Sequence, residues 1–354
     1  MAQHILLTGG GGYIGGTILD QILSLTNSPI KPKNLTVTLR SEQQIKALSD
    51  MSVHAIALDL NDEEAVKEAV LSNNVDIIVH IASALEPAIA SHLIKALGER
   101  RKVSNGEAYF IHSSVTAAFS KENGWPFGEV KDTDTLYDME KQLPAGHPVR
   151  DADILVTDVA RAEGVISLIV VVPVVYGMGS GEFRRTSSSI PSFLRTSIAD
   201  QVVHRFDKDA HPAMTHVSDM AALYILLLEK ILNKAPLPMG EKGYYFAMAH
   251  KVSWWDVMQK LADALYRRGL VNEAKVEIWP SDEMAAQHLG WPRQFVRAMG
   301  TSSGDIIPVN AFKIGWQPKW TAERFLGSMD VEVQAVLEQG DKFQSTLYDS
   351  ILNA

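Results

Sequence analysis

The chain has 354 residues, 46% hydrophobic and 21% charged, enough for one large α/β domain or two modest ones. A net charge of −9 argues against a nucleic-acid binder, and the lack of cysteine removes disulfides, thiolate metal ligands and a cysteine nucleophile together. No apolar run approaches the ~18 residues of a membrane span and no basic leader precedes the first strand, so a cytoplasmic protein with a small-molecule substrate and no membrane partner is expected.

The first apolar run, 4–8, leads directly into Thr8-Gly9-Gly10-Gly11-Gly12-Tyr13-Ile14-Gly15-Gly16 and then an apolar helical stretch over 13–25. Gly9, Gly12 and Gly15 recur three apart between strand and helix, the context a dinucleotide site needs. One glycine permits the tight turn, one lets the backbone approach a pyrophosphate, and one lets helix and strand pack closely. The helix N-terminus then offers unpaired N–H groups to the phosphates.

β-branched runs at 35–39, 54–57, 76–81, 108–112 and 165–171 predict five more strands, with helical patterns at 42–48, 62–71, 86–97 and 149–163 between them. Such alternation predicts an α/β fold, a doubly wound parallel (Rossmann) sheet covered on both faces. The strand 35–39 ends in Arg40-Ser41, a guanidinium and a hydroxyl that suit a 2′-phosphate; NADP(H) is therefore preferred, with NAD(H) the alternative.

The connection 113–148 holds Gly124, Pro126, Gly128, Pro144, Gly146 and Pro148, so it cannot be one helix; connections this long usually carry function. Beyond Pro173 come Gly177, Gly179 and Gly181, then helices with brief strands such as 244–248. That change predicts a dinucleotide-binding domain over 1–172 and a smaller, mainly helical C-terminal substrate lobe over 173–354, structurally interleaved with it. Ligands of open α/β sheets bind at the carboxyl ends of the strands, so the lobe would close over that edge.

These residues resemble the extended short-chain dehydrogenase/reductases, in the NAD-dependent epimerase/dehydratase-like branch. The resemblance rests on the glycine motif, Asp59-Leu60, His80 to Ala84, Phe110 to Ser114, Pro173-x-x-Tyr176-Gly177, Thr215 to Asp219, and Ile314-Gly315-Trp316-x-Pro318. It implies that Thr8 and the glycines form the turn, that Tyr13 and Ile14 cover the pyrophosphate, and that Asp59 and Leu60 border the adenine. Ala82, Ser83 and Ala84 would run beside the cofactor, and Pro173 and Val174 would flank the nicotinamide.

The family's carbonyl chemistry uses a tyrosine with a lysine four residues later, plus a serine or threonine hydroxyl. Tyr137 and Lys141 match that spacing, but Pro144, Gly146 and Pro148 separate them from the helix entering the sixth strand. On that helix the lysine position falls on Asp151 or Asp153 and the tyrosine position on His147 or Val149. A carboxylate there would raise a tyrosine pKa rather than lower it. His147 is the substitute proton donor, Ser114 or Thr116 supplies the hydroxyl, and the histidines show no metal-binding spacing.

An NADP(H)-dependent oxidoreductase acting on a small, mostly apolar carbonyl or alcohol is the leading expectation. The competing ones are a non-redox isomerase, lyase or cyclase on the same fold, and a nucleotide-sensing regulator without turnover. A monomer or a homodimer fits equally.

Overall fold

The computed structural model describes residues 3–339. Strands β1 (His4–Thr8), β2 (Leu35–Leu39), β3 (His54–Ala57), β4 (Val75–His80), β5 (Tyr109–Val115), β6 (Ile166–Val172) and β7 (Tyr244–Phe246) form one sheet. All neighbours in it run parallel, in the order β7-β6-β5-β4-β1-β2-β3. Between them run α1 (Tyr13–Leu23), α2 (Glu42–Asp50), α3 (Glu63–Ser72), α4 (Pro87–Ser104), α5 (Leu136–Lys141) and α6 (Pro148–Glu163).

Because the sheet is covered on both faces, its strands are apolar on both. Ile5, Leu7, Val37, Ile77, Val79 and Ile111 pack with Ile18 and Ile22 of α1 and with α8 (Val217–Leu232). Leu6, Ile78, Phe110, Ile169 and Val171 pack with Ile94 and Leu97 of α4 and Val156 of α6. A third cluster, built on Phe193, Trp254, Leu261, Trp291 and Phe325, fills the helical lobe, which includes α7 (Ser189–Asp200) and α9 (Trp254–Arg267).

Three departures from the predicted elements have physical causes. Helix α4 continues to Ser104, where Asn105 at φ 52° caps it; the polar run Glu99 to Lys102 does not end it, since Arg100 pairs with Asp76 and Lys102 with Glu99 and Glu163. Strand β5 runs on to Val115. The segment predicted as a lobe strand near 244 is instead β7, the edge of the main sheet, paired with β6.

The connection 113–148 is built rather than loose. It contains 3-10 turns at Thr116–Phe119 and Lys121–Asn123, a short strand Val130–Lys131 paired with Ile306–Ile307, and α5. Asp132, 1% exposed, anchors it: its carboxylate accepts from Val309 N at 2.8 Å, Asn310 N at 3.0 Å and Phe246 N at 3.0 Å. Asp132→Asn turns an amide donor toward one of these N–H groups; we expect a loss of about 2 kcal/mol in urea unfolding. An unchanged midpoint would contradict it.

The two late motifs meet in space. Asp219 Oδ2 accepts from Lys319 N and Trp320 N at 2.9 Å each, and Trp316 Nε1 donates to the Asp219 carbonyl. His216 itself caps α8, its Nδ1 accepting from Ser218 N.

Candidate active site

The glycine turn sets one wall of a groove at the carboxyl edge. Gly9 adopts φ +73°, and a Cβ there would come within 3.1 Å of Ala82 N at the end of β4. A Cβ on Gly15 would lie 2.2 Å from the Gly9 carbonyl oxygen. Gly12 N donates to that oxygen, and Gly12 starts α1 with no side-chain cap. The helix N-terminus therefore keeps its anion-binding N–H groups, and the close backbone packing leaves the cradle that a dinucleotide pyrophosphate fits. Thr8 stands behind this wall: it is fully buried, and its hydroxyl pairs with His80 Nδ1 at 2.9 Å and accepts from Ile81 N. Its part is to hold the turn against β4; its side chain does not reach the groove.

The other expected cofactor residues border the same edge. Arg40 is exposed, with no ion pair among the described residues, and Ser41 starts α2 with its hydroxyl uncommitted. Gln44, on the first turn of the helix that Ser41 starts, has its amide 3.2 Å from where a Gly11 Cβ would be. Asp59 is exposed and folds its carboxylate onto Asn61 N; the helix cap is Asp62, which accepts from Ala65 N. Leu60, Ser83 and Ala84 are half-buried and Ala82 is exposed; Ser83 Oγ accepts from Leu85 N. Pro173 is buried and Val174 half-buried at the end of β6.

The hydroxyl alternatives at the end of β5 separate cleanly. Ser114 points inward, fully buried, and donates to Asp153 Oδ2 at 2.6 Å. Thr116, two residues on, is half-buried beyond the strand end. Strand alternation puts Ser114 toward α6 and Val115 toward the opposite face.

His147 is the N-cap of α6, its Nδ1 accepting from Arg150 N at 3.4 Å. That bond assigns the Nε2–H tautomer, and Nε2 has no protein partner. Burial, then the Arg150 guanidinium, lowers its pKa to about 4, so the ring is neutral at physiological pH. Arg150 donates to the Ala118 and Asn123 carbonyls and so holds both 3-10 turns against α6.

Tyr137 and Lys141 are hydrogen-bonded, Lys141 Nζ to Tyr137 Oη at 2.8 Å. Their other partners place them away from the groove: Tyr137 Oη donates to Asp158 at 2.5 Å and accepts from Arg161. Asp158 lies nine residues past Val149, ~13 Å down α6 from the carboxyl edge. Arg161 in turn pairs with Glu241, which precedes β7 at the amino edge. The geometry does not bring this pair to the glycine turn.

Under the end of β5 lies a buried polar cluster with no counterpart in the sequence expectations. Asp153 hydrogen-bonds Glu140, and Glu140 Oε2 accepts from Tyr244 Oη at 2.6 Å. His112 Nε2 is 3.5 Å from Asp153 Oδ1. Burial pushes the Asp153 carboxyl up to about 8 and raises that of Glu140. His112 and its stacked neighbour His80 are driven by burial to about 3 and about 4, and both stay neutral. In either register, His147 with Asp151 or Val149 with Asp153, α6 presents no phenol–ammonium pair to the groove; Val149 and Asp153 are buried as well.

Among the described residues no helix is long and apolar enough to cross a membrane, and no group of three His, Asp or Glu could hold a metal.

The family model described as the NAD dependent epimerase/dehydratase family matches residues 5–237. An oxidase, ucsJ, of Acremonium is 23% identical over 310 residues, covering 81% of this chain and 85% of its own. A dTDP-glucose 4,6-dehydratase of Bacillus anthracis in complex with NAD superposes with a TM-score of 0.63 at 15% identity, covering 96% of this chain and 98% of that one. An L-threonine dehydrogenase of Phytophthora infestans gives 0.61 at 16% identity, over 94% and 99%.

Proposed function

Since the chain belongs to the NAD dependent epimerase/dehydratase family, the extended short-chain dehydrogenase/reductases, we propose that it is an NADP(H)-dependent oxidoreductase acting on a small, mostly apolar carbonyl or alcohol. The observation that carries the cofactor preference is Arg40: exposed, without an ion pair among the described residues, and next to Ser41 at the start of α2, whose Gln44 lies against the glycine turn.

In this reading residues 1–172 hold the dinucleotide and 173–354 cover the substrate. The N–H groups of Tyr13 and Ile14 and the Gly9–Gly12–Gly15 turn bind the pyrophosphate. Asp59 and Leu60 border the adenine, 82–84 follow the cofactor, and Pro173 and Val174 flank its reactive end. A bound nicotinamide supplies or accepts the hydride. The half-buried Ile81, Ala84, Val115 and Val174 make the carboxyl edge apolar, which favours an apolar substrate. In this reading Thr116 holds a substrate oxygen and His147, whose buried Nε2 has no protein partner, supplies the proton. Neutral His147 can donate from Nε2, with Nδ1 fixed by the Arg150 N–H.

The absence of a phenol–ammonium pair on α6 also supports a second reading, a non-redox elimination or isomerisation in the same groove. NADPH consumption with a panel of aldehydes and ketones tests the first reading; turnover by cofactor-free protein would replace it with the second. Arg40→Ala should weaken NADPH binding roughly tenfold, as loss of one charged phosphate contact does, and leave NADH binding unchanged. Equal affinity for the two dinucleotides in the wild type, unmoved by the substitution, would overturn the phosphate assignment.

A further inference from the structure

Strand β2 packs directly against the glycine turn: a Cβ on Gly10 would fall 2.2 Å from Val37 Cγ1. At Gly11 the end of that strand and the first turn of α2 come in together. A Cβ there would lie 3.1 Å from Leu39 Cδ2 and 3.2 Å from both Nε2 and Oε1 of Gln44. Gly11 lies outside the left-handed region, so backbone conformation does not call for a glycine; the closeness of these two side chains does. The equal distances mean that the Gln44 amide turns its donor and its acceptor together toward the turn, and exchanging the two by an amide flip changes nothing. Gln44 is half-buried, and its amide makes no hydrogen bond among the described residues.

We propose that Gln44 is a specificity-determining residue that reads the 2′ position of the dinucleotide's adenosine ribose across Gly11. The inference rests on the dinucleotide-binding reading above and deepens it. In a doubly wound site the adenosine ribose lies between the pyrophosphate at the helix start and the end of the second strand, where its 2′ substituent is read. Here those two ends are Gly12 with α1 and Leu39 with Arg40, and the amide of Gln44 stands at the glycine next to Gly12, beside Leu39.

The chemistry of the two polar side chains differs. Arg40 carries donors only; it suits a phosphate and has nothing to accept from a free hydroxyl. The Gln44 amide accepts from one ribose hydroxyl through Oε1 while Nε2 donates to its neighbour, or Nε2 donates to a 2′-phosphate oxygen. Being neutral, it does not repel that phosphate as the carboxylate common in NAD sites would. Arg40 therefore acts on NADPH alone, and Gln44 acts on both dinucleotides.

Fluorescence titration of the full chain with NADH and with NADPH tests this, each variant being verified by thermal melting. Q44A should weaken both dinucleotides about three- to tenfold, as loss of one or two hydrogen bonds does, whereas R40A weakens NADPH alone. Q44E should hold NADH within about twofold of the wild type and weaken NADPH about tenfold or more, since a carboxylate accepts from ribose hydroxyls and repels a 2′-phosphate. Q43E places the same charge at the exposed neighbouring position and is the control: the ratio of the two affinities should move less than about twofold. Wild-type affinities in Q44A, or a ratio in Q44E no different from that in Q43E, overturn the proposal and leave the dinucleotide reading standing. A wild-type protein that binds neither NADH nor NADPH overturns that reading, and this proposal with it.

Discussion

Gly15→Ala should reduce dinucleotide affinity about a hundredfold, ~2.7 kcal/mol, while leaving a folded chain. The added methyl would sit 2.2 Å from the Gly9 carbonyl oxygen and 2.8 Å from its carbon, backbone atoms that cannot rotate away. Gly9 has no freedom to yield, because it is itself packed against the Ala82 backbone in a left-handed conformation. The first turn of α1 must therefore tilt from β1, which misaligns the N–H groups that meet the pyrophosphate. Gly327→Ala is the control: that glycine has nothing within 4 Å of an added Cβ, and NADPH binding should be unaffected. Wild-type affinity in Gly15→Ala, measured by NADPH fluorescence with thermal melting to verify folding, would show that the turn is not the anion site.

The Glu140–Asp153 pair should make the protein less stable as pH rises. In the unfolded chain both carboxyls ionise near pH 4; in the fold, burial pushes Asp153 up to about 8 and raises Glu140 as well. Between those values the folded state holds protons that the unfolded state has released. Unfolding free energy then falls by up to ~1.4 kcal/mol per pH unit for each such proton, several kcal/mol in all by about pH 8. Arg150 and His112 face the pair, and neither cancels the effect: the guanidinium lowers Glu140 without reversing the burial shift, and His112 stays neutral.

Glu140→Gln replaces the shared proton by an amide that can still accept from Tyr244 Oη and donate to Asp153. It should flatten the pH dependence and raise stability at pH 8 relative to the wild type. Urea unfolding between pH 5 and 8.5 decides it: parallel profiles for the two proteins would mean that the pair does not hold a proton.

Much of the sheet was legible in residue order. Strands buried on both faces read as β-branched runs, and β1, β2 and β3 fall on their predicted bounds because turn signals flank each of them. The turn at Gly9–Gly12–Gly15 was legible for a related reason: its chemistry depends on three residues within one strand-to-helix crossing. Local periodicity could not tell that 244–246 returns to the sheet edge, since a three-residue strand is too short to carry a period.

The polar interior was out of reach of that reading. Asp132 with Asn310 and Glu140 with Tyr244 join residues far apart in the chain, and nothing in the spacing of acidic residues separates a buried carboxyl from a solvated one. Ser114 and Thr116 would share a face of a continuous strand; they part because β5 ends at Val115 and Thr116 opens a 3-10 turn. Tyr137 and Lys141 keep their helical spacing and their mutual hydrogen bond, yet the proline and glycine break after them lets α5 pack toward the amino edge.

The sequence by itself determined where the glycine turn and its uncapped helix start lie, because that depends on backbone geometry within a few consecutive residues. Tertiary structure alone decided which side chains share the groove with it and which carboxyls lose their water. Both depend on contacts across the sheet that no local pattern encodes.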